Sequence, residues 1–399
     1  MKTYLSLIFV VLLFANSYSY ETVRYIYEKS WYLTGELGAE YILNGTFLVN
    51  NSQQKILSFN LSEGELISEG ENILFYSKGA MDSKNKQITA TAKIEILYHP
   101  FLSKDYPLDS IPEPKNEMEI QAHTLSDSSS IAKTIILLSE WINGYIEYDL
   151  DYSNITSPQE VFDKKKGVCS AYTALFQELI SYLGIENRQV SGFSDSLFWQ
   201  PHAWAQVKIG EEWISVDPTY NQIGILSSDH IKVHVGNNSL SSKDSISSFG
   251  GIHTFYSDSE ITEYYVHKNP LPIKHEIYLS NGKMELNISN PSEEFIFVPV
   301  NIRVSDGWGE LFNKIILLAP GEKTTINYYI TPDKEIDISY SKIYSIPFIL
   351  NIMEVESEGQ IKYSAQPETD HFTSDFPELN CLPPLFIIPL ILFAFFRKG

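Results

Sequence analysis

The stretch His202-Ala203-Trp204-Ala205-Gln206-Val207-Lys208-Ile209-Gly210-Glu211-Glu212-Trp213-Ile214-Ser215-Val216-Asp217-Pro218-Thr219 reads as two antiparallel strands around a Gly210-Glu211 turn. Pairing Ile209 with Glu212 sets the register, so that Val207 faces Ile214 and Ala205 faces Val216 along one apolar side. Side chains alternate along a strand. His202, Trp204, Gln206, Trp213, Ser215 and Asp217 therefore share the other side. In this register Asp217 is opposite Trp204 and diagonal to His202. Diagonal neighbours are roughly 7–8 Å apart at Cα, within reach of a carboxylate-to-imidazole hydrogen bond. Taken singly, His202 also fits a satisfied sheet histidine, and Asp217 fits a strand end before a proline turn. Sharing one face of one hairpin favours a joint role.

Upstream, Gly167-Val168-Cys169-Ser170-Ala171-Tyr172 opens a helical stretch that runs from about Ser170 to Leu183. Ala171, Ala174, Leu175, Leu179 and Tyr182 fall on one face, and Gly184 is placed to cap the end. A thiol in the first turn of a helix meets free N–H groups and the positive end of the dipole, which favour the attacking thiolate. The same N–H groups can hold an oxyanion. Gly167 is expected to let the chain turn tightly and the substrate approach closely. A lone cysteine here also fits a small buried hydrophobe. With an imidazole and a carboxylate downstream, the order thiol, imidazole, carboxylate outlines nucleophilic acyl transfer.

In combination these blocks resemble the transglutaminase-like superfamily of papain-like thiol enzymes. The block at 167–176 is similar to that family's nucleophile helix, and Leu183 to Phe193 to its following turn and strand. Residues 202–207 with 213–219 are similar to its hairpin, and the preceding helix with Trp141 and Tyr148-Asp149 also fits. The resemblance covers about 125–225. It implies Cys169 as nucleophile, His202 as base and later acid, and Asp217 as the orienting carboxylate. Trp141, Gly167 and Trp204 are the candidates for oxyanion or substrate contact, although Trp141 also fits a core position. Ser170 stands where microbial members often carry an acidic residue. No calcium loop of the animal crosslinking enzymes is recognisable, so no metal or other cofactor is expected.

The fold class that follows is α+β: a papain-like transglutaminase core of helices packed on an antiparallel sheet, flanked by N- and C-terminal β-sandwich domains. Residues 20–98 are β-rich; in the run Ile88 to Tyr98, Ile88, Ala90, Ala92, Ile94 and Ile96 alternate with polar residues. Residues 99–122 read as a Pro-rich connector without periodicity, and 123–271 as the catalytic domain, with 225–271 unassigned in detail. Helical period is seen from Ser128, at Ile131, Ile135, Leu138 and Ile142, and a short helix starts at Ser157-Pro158. Residues 272–366 carry several short strands at the spacing of an Ig-like sandwich.

The chain has 399 residues and a formal net charge of −21, which argues against nucleic acid and anionic membrane surfaces as partners. A protein or peptide substrate is expected; oligomeric state is open. Residues 1–19 read as a signal peptide, with Lys2 and the apolar run Leu5 to Ala15. After a linker at 367–381, residues 382–399 read as a C-terminal membrane anchor or sorting tail ending in Arg397-Lys398-Gly399. The expected place is the cell surface. Six Asn-X-Ser/Thr sequons, at Asn44, Asn50, Asn60, Asn154, Asn237 and Asn287, agree with export. Two cysteines, Cys169 and Cys381, are too few for a disulfide framework. His230 and His234, four apart, share a face in a regular helix or strand, but no third metal ligand stands nearby in sequence.

Two classes of function remain. One is an exported thiol enzyme acting on peptide or protein amides through a thioester, as a peptidase or amidase with water as acceptor, or as a crosslinker with an amine. Hydrolysis is favoured by the resemblance to simple microbial members. The other is a non-catalytic surface or adhesion protein in which the middle domain is structural.

Overall fold

The computed structural model describes residues 18–97, 100–155, 157–195, 198–224, 229–236, 243–270, 272–353 and 355–365. Residues 1–17 of the segment read as signal peptide, the linker with Cys381, and the anchor at 382–399 lie outside the described residues, whereas residues 18 and 19 belong to the first strand. Among the described residues no helix is long and apolar enough to cross a membrane. The chain is mostly β-sheet, with its α-helices gathered between Glu117 and Tyr182.

The N-terminal unit is two facing four-stranded sheets. One runs in the order Ile252–Pro270, Tyr18–Gly35, Asn85–Leu97, Gln54–Leu61, and the other Ser245–Ser248, Glu40–Val49, Asn72–Ala80, Glu65–Glu69. Alternation drives this packing: Ile88, Ala90, Ala92, Ile94 and Ile96 are buried, and they meet Trp31, Tyr27, Phe47 and Phe75 in one core. The domain boundary read at 271 is corrected here. Residues Ile252 to Pro270 pair along almost the whole of Tyr18–Gly35, and Ser245–Ser248 pairs with Glu40–Val49. The central helical segment is thus enclosed between two contributions to the same pair of sheets. The partner of Ile252–Pro270 is more than two hundred residues away in sequence, which no local signal reveals.

The central segment packs four helices on a five-stranded antiparallel sheet. Helix Glu117–Leu125 begins inside the stretch read as connector, with Asn116 accepting from the Glu119 amide. Glu119 accepts in return from the Lys115 amide and the Asn116 side chain. Ser130 caps helix Ile131–Tyr145, and Pro158 opens helix Pro158–Lys164. The helix that opens on Cys169 is Cys169–Tyr182, closed by Gly184 at φ +75°. The sheet order is Gln222–Ile223, Glu212–Asp217, Trp199–Ile209, Asn187–Asp195, His230–Gly236. Ala205, Val207, Ile209, Ile214 and Val216 face the helix core of Ile135, Leu138, Leu175, Phe176 and Leu179.

The C-terminal unit places the sheet Lys274–Ser280, Lys283–Ser289, Lys323–Tyr329 against the sheet Phe312–Leu318, Phe295–Val304, Tyr344–Ile352, Val355–Tyr363. Leu286, Ile288, Val300, Ile302 and Phe348 fill the space between them. Phe101–Leu102, from the Pro-rich connector, pairs with Phe295 and Ile296, and Phe297 reaches into the helical core.

Candidate active site

The hairpin pairs as its turn demands: Ile209 with Glu212, Val207 with Ile214, Ala205 with Val216. That register brings His202 Nε2 to 2.6 Å from Asp217 Oδ2. Asp217 is fully buried. Its Oδ1 accepts from the backbone amides of Thr219 at 2.8 Å and Tyr220 at 3.3 Å, so both oxygens act as acceptors and the group is the carboxylate. An ionised acceptor at Nε2 puts the imidazole proton there and leaves Nδ1 as the basic nitrogen. Cys169 lies close enough to the same imidazole to favour its charged form. Burial works against a charged His202, but attraction and hydrogen bonding to Asp217, with Cys169 adding to them, push it up to about 10. Burial likewise opposes the Asp217 charge; His202 and then His230 outweigh it and hold the carboxyl below its ordinary range.

Cys169 is the first residue of its helix and is partly exposed. No side-chain cap closes that end, and the first helical hydrogen bonds run from Ala171 and Tyr172 back to Val168. The amides of Cys169 and Ser170 precede that ladder and point toward the open end. Thr173 Oγ1 donates to the carbonyl of Ala203, tying the nucleophile helix to the His202 strand. Tyr220 stacks on the other side of His202, with ring centroids 4.9 Å apart.

The three oxyanion or substrate candidates fare differently. Trp204 is fully buried beside His202, its ring 5.8 Å away, and contacts no solvent. Its indole N–H is unpartnered. It is therefore packing beneath the histidine and no substrate contact. Trp141 stacks on Tyr145 at 4.3 Å and lies beside Phe162, at the rim of the helical core. Gly167 lies two residues before Cys169, and a Cβ there would lie 2.3 Å from that of Ala171, so glycine lets the strand press on the helix. Its partner in a short parallel ladder is Tyr148, which the sequence reading passed over except as part of the preceding block. Tyr148 is half exposed. Its phenol is held above its ordinary value by burial first, then by the nearby Cys169 and Tyr220.

A second histidine joins the site. His230 Nε2 lies 3.1 Å from Asp217 Oδ2, and its Nδ1 lies 3.0 Å from Asp229 Oδ1. The reading of His230 and His234 as sharing a face is corrected by a bulge: His230 pairs with Ser194 and His234 with Ser191, three residues apart and so on opposite faces. Ligand-type atoms of His202, Asp217 and His230 lie within 4.8 Å of one another, the one such group found among the described residues. They are hydrogen-bonded to each other, and an ion would have to break both bonds to enter.

Gly192 pairs with His202 on the inner strand. A Cβ at Gly192 would come within 1.9 Å of the Ile231 carbonyl oxygen, adjacent to His230. Gly192→Ala is expected to cost roughly 1–3 kcal/mol of stability by forcing the two strands apart. Urea denaturation of the two proteins measures it.

Residues 120–218 match the family model of the Transglutaminase-like superfamily. Among solved structures, the chain is similar to one from Cytophaga hutchinsonii for which a cysteine protease assignment has been proposed. The identity is 17%, covering 63% of this chain and 94% of that one, with a TM-score of 0.46. It is also similar to a structure described as a TGase, at 14% identity over 40% of this chain and 44% of that one, with a TM-score of 0.23. No curated protein matches the chain.

Proposed function

We propose that this chain, whose residues 120–218 form a transglutaminase-like core domain, is a thiol enzyme that cleaves peptide or protein amides through a thioester. The observation that carries the reading is the imidazole of His202, set near Cys169 and hydrogen-bonded to the buried Asp217. His202 holds the thiol proton as the Cys169 sulfur attacks the carbonyl carbon. The oxyanion is held by the free amides at the start of the helix. His202 then returns the proton to the leaving amine, and the C–N bond breaks to give the thioester and the amine. Water next attacks the thioester with His202 again as base, releasing the acid and the thiol. The partial exposure of Cys169 gives water access to the acyl group. An amine in place of water makes the same site a crosslinker.

We place this chemistry outside the cell on the strength of the two terminal apolar runs. The decisive experiment is intact-mass analysis of the protein quenched while turning over a peptide amide. An acyl adduct on Cys169 is expected, released as free acid in water and as the substituted amide when a primary amine is added. Absence of any adduct together with absence of cleavage would sink the reading.

Tyr148 is the side chain we assign as second donor to the oxyanion, from its place beside Cys169 and its half exposure. Tyr148→Phe is expected to lower kcat by about a hundredfold with little change in KM, the usual scale for one lost oxyanion donor. Steady-state kinetics on one peptide substrate checks it.

A further inference from the structure

Asp217 accepts from two imidazoles on one oxygen: His202 Nε2 at 2.6 Å and His230 Nε2 at 3.1 Å. The triad chemistry uses only the first. We propose that His230 is a positioning residue, a second and cationic imidazole on Asp217 that sets how tightly His202 holds its proton. The inference rests on the thiol-enzyme reading above.

The argument is one of donors and acceptors. A neutral imidazole has one N–H and one bare nitrogen. His230 has a carboxylate oxygen at each nitrogen, Asp217 at 3.1 Å and Asp229 at 3.0 Å. Two carboxylate acceptors require two N–H donors, and only the imidazolium supplies them. Burial opposes that charge, and the two carboxylates outweigh it, raising His230 above its ordinary value. The groups facing it are Asp217 from the hairpin, His202 at 5.6 Å between ring centroids, Trp204 edge-on at 5.1 Å and Tyr220 at 6.0 Å. Just before its strand stands the partly exposed Asp229, and two residues on within it the buried Lys232. Of these groups the two carboxylates are the anions, and both bond the ring.

The consequence is electrostatic. A lone buried carboxylate would hold the His202 proton so firmly that the imidazolium would be a poor acid toward a leaving amine. A positive charge on the far side of the same carboxylate offsets part of that pull. His230 thereby keeps Asp217 ionised and correctly aimed while leaving His202 able to give its proton up.

The test uses the whole protein, and its first measurement needs no substrate. The alkylation rate of Cys169 by iodoacetamide, measured against pH, shows an alkaline limb where the imidazolium loses its proton. Glutamine at 230 keeps an N–H for Asp217 but no charge. His230→Gln is expected to move that limb up by about one pH unit, a tenfold tighter proton. Asp229→Asn, at a partly exposed position, is expected to move it the same way by less. His234→Gln, which removes a histidine from the opposite face of the same strand, is expected to leave it in place. In turnover, His230→Gln lowers kcat at neutral pH with KM unchanged. Limbs that stay put in both His230→Gln and Asp229→Asn, in proteins with native circular dichroism, overturn the proposal, even if activity falls. A wild-type Cys169 inert at mildly acidic pH overturns the thiol-enzyme reading and this inference with it.

Discussion

Asp217→Asn lowers kcat by about 10⁴-fold while the protein still folds, the scale expected when the third group of a triad no longer fixes the imidazole tautomer. An asparagine amide can present N–H to His202 Nε2. The proton then moves to Nδ1, the nitrogen that must be bare to accept from the thiol. Two further hydrogen bonds to Asp217, from the amides of Thr219 and Tyr220, hold the side chain in place, and the amide oxygen can keep them. Burst kinetics on an activated ester checks this: acylation of Cys169 slows, and so does deacylation, because both steps pass a proton through His202. The variant also reports on stability. The His202 proton is held up to about 10, so its contribution is whole below the unfolded value of about 6.5 and is lost as pH rises through 10. The Asp217 carboxyl is held low, so its contribution is whole above the unfolded value of about 4 and is lost as pH falls below it. Wild-type Tm should therefore crest between those two unfolded values and fall on both sides. Asp217→Asn should be less stable at the crest, by about 3–5 kcal/mol for a broken buried pair, and flatter across it. A pH series of thermal melts distinguishes the two curves.

Asp244→Ala is expected to destabilise the fold by about 3–5 kcal/mol, through a site more than a whole domain away in sequence from its partners. Asp244 Oδ1 lies 2.9 Å from Lys29 Nζ, with both side chains only 8% exposed. Its Oδ2 accepts from Trp31 Nε1 at 2.8 Å, and Oδ1 also accepts from the Thr46 amide at 3.0 Å. Burial pulls the Lys29 ammonium below its ordinary value, and Asp244 is the group that opposes this. Without it a buried ammonium keeps only the Thr46 carbonyl and hydroxyl, and the Trp31 indole loses its acceptor. Asp244→Asn should cost less, since it restores an acceptor for Trp31 without the charge. Denaturant melts of both variants give the order. Equal stability of Asp244→Ala and wild type would mean that the returning segment 243–270 is not integral to the N-terminal sheets.

Much of this site was legible from the chain because its chemistry lies in short range. A two-residue turn sets the register of the hairpin, and period-two alternation then decides which side chains meet. His202 and Asp217 follow from that alone, as does the burial of Ala205, Val207, Ile214 and Val216. The nucleophile helix was equally plain, from its apolar face and Gly184. The helix at Glu117–Leu125 was missed although its cap pair, Asn116 and Glu119, is a local signal; the prolines around it outweighed that pair in the reading.

Other features had no local signal at all. His230 stands thirteen residues past Asp217, beyond a stretch with no clear pattern, and a bulge turns it onto Asp217 and away from His234. Trp204 alternates in step with His202, yet the neighbouring Val190, Val235 and Val49 cover it, so the same face carries the Asp217-bonded imidazole and a core indole. Tyr148 comes beside the thiol only because residues 147–148 pair in parallel with 166–167. By itself, the sequence determined the thiol, the imidazole and the carboxylate, since turns and alternation act between near neighbours. Tertiary structure alone decided which groups surround that carboxylate and where segment 243–270 returns, because those contacts depend on strands paired across the length of the chain.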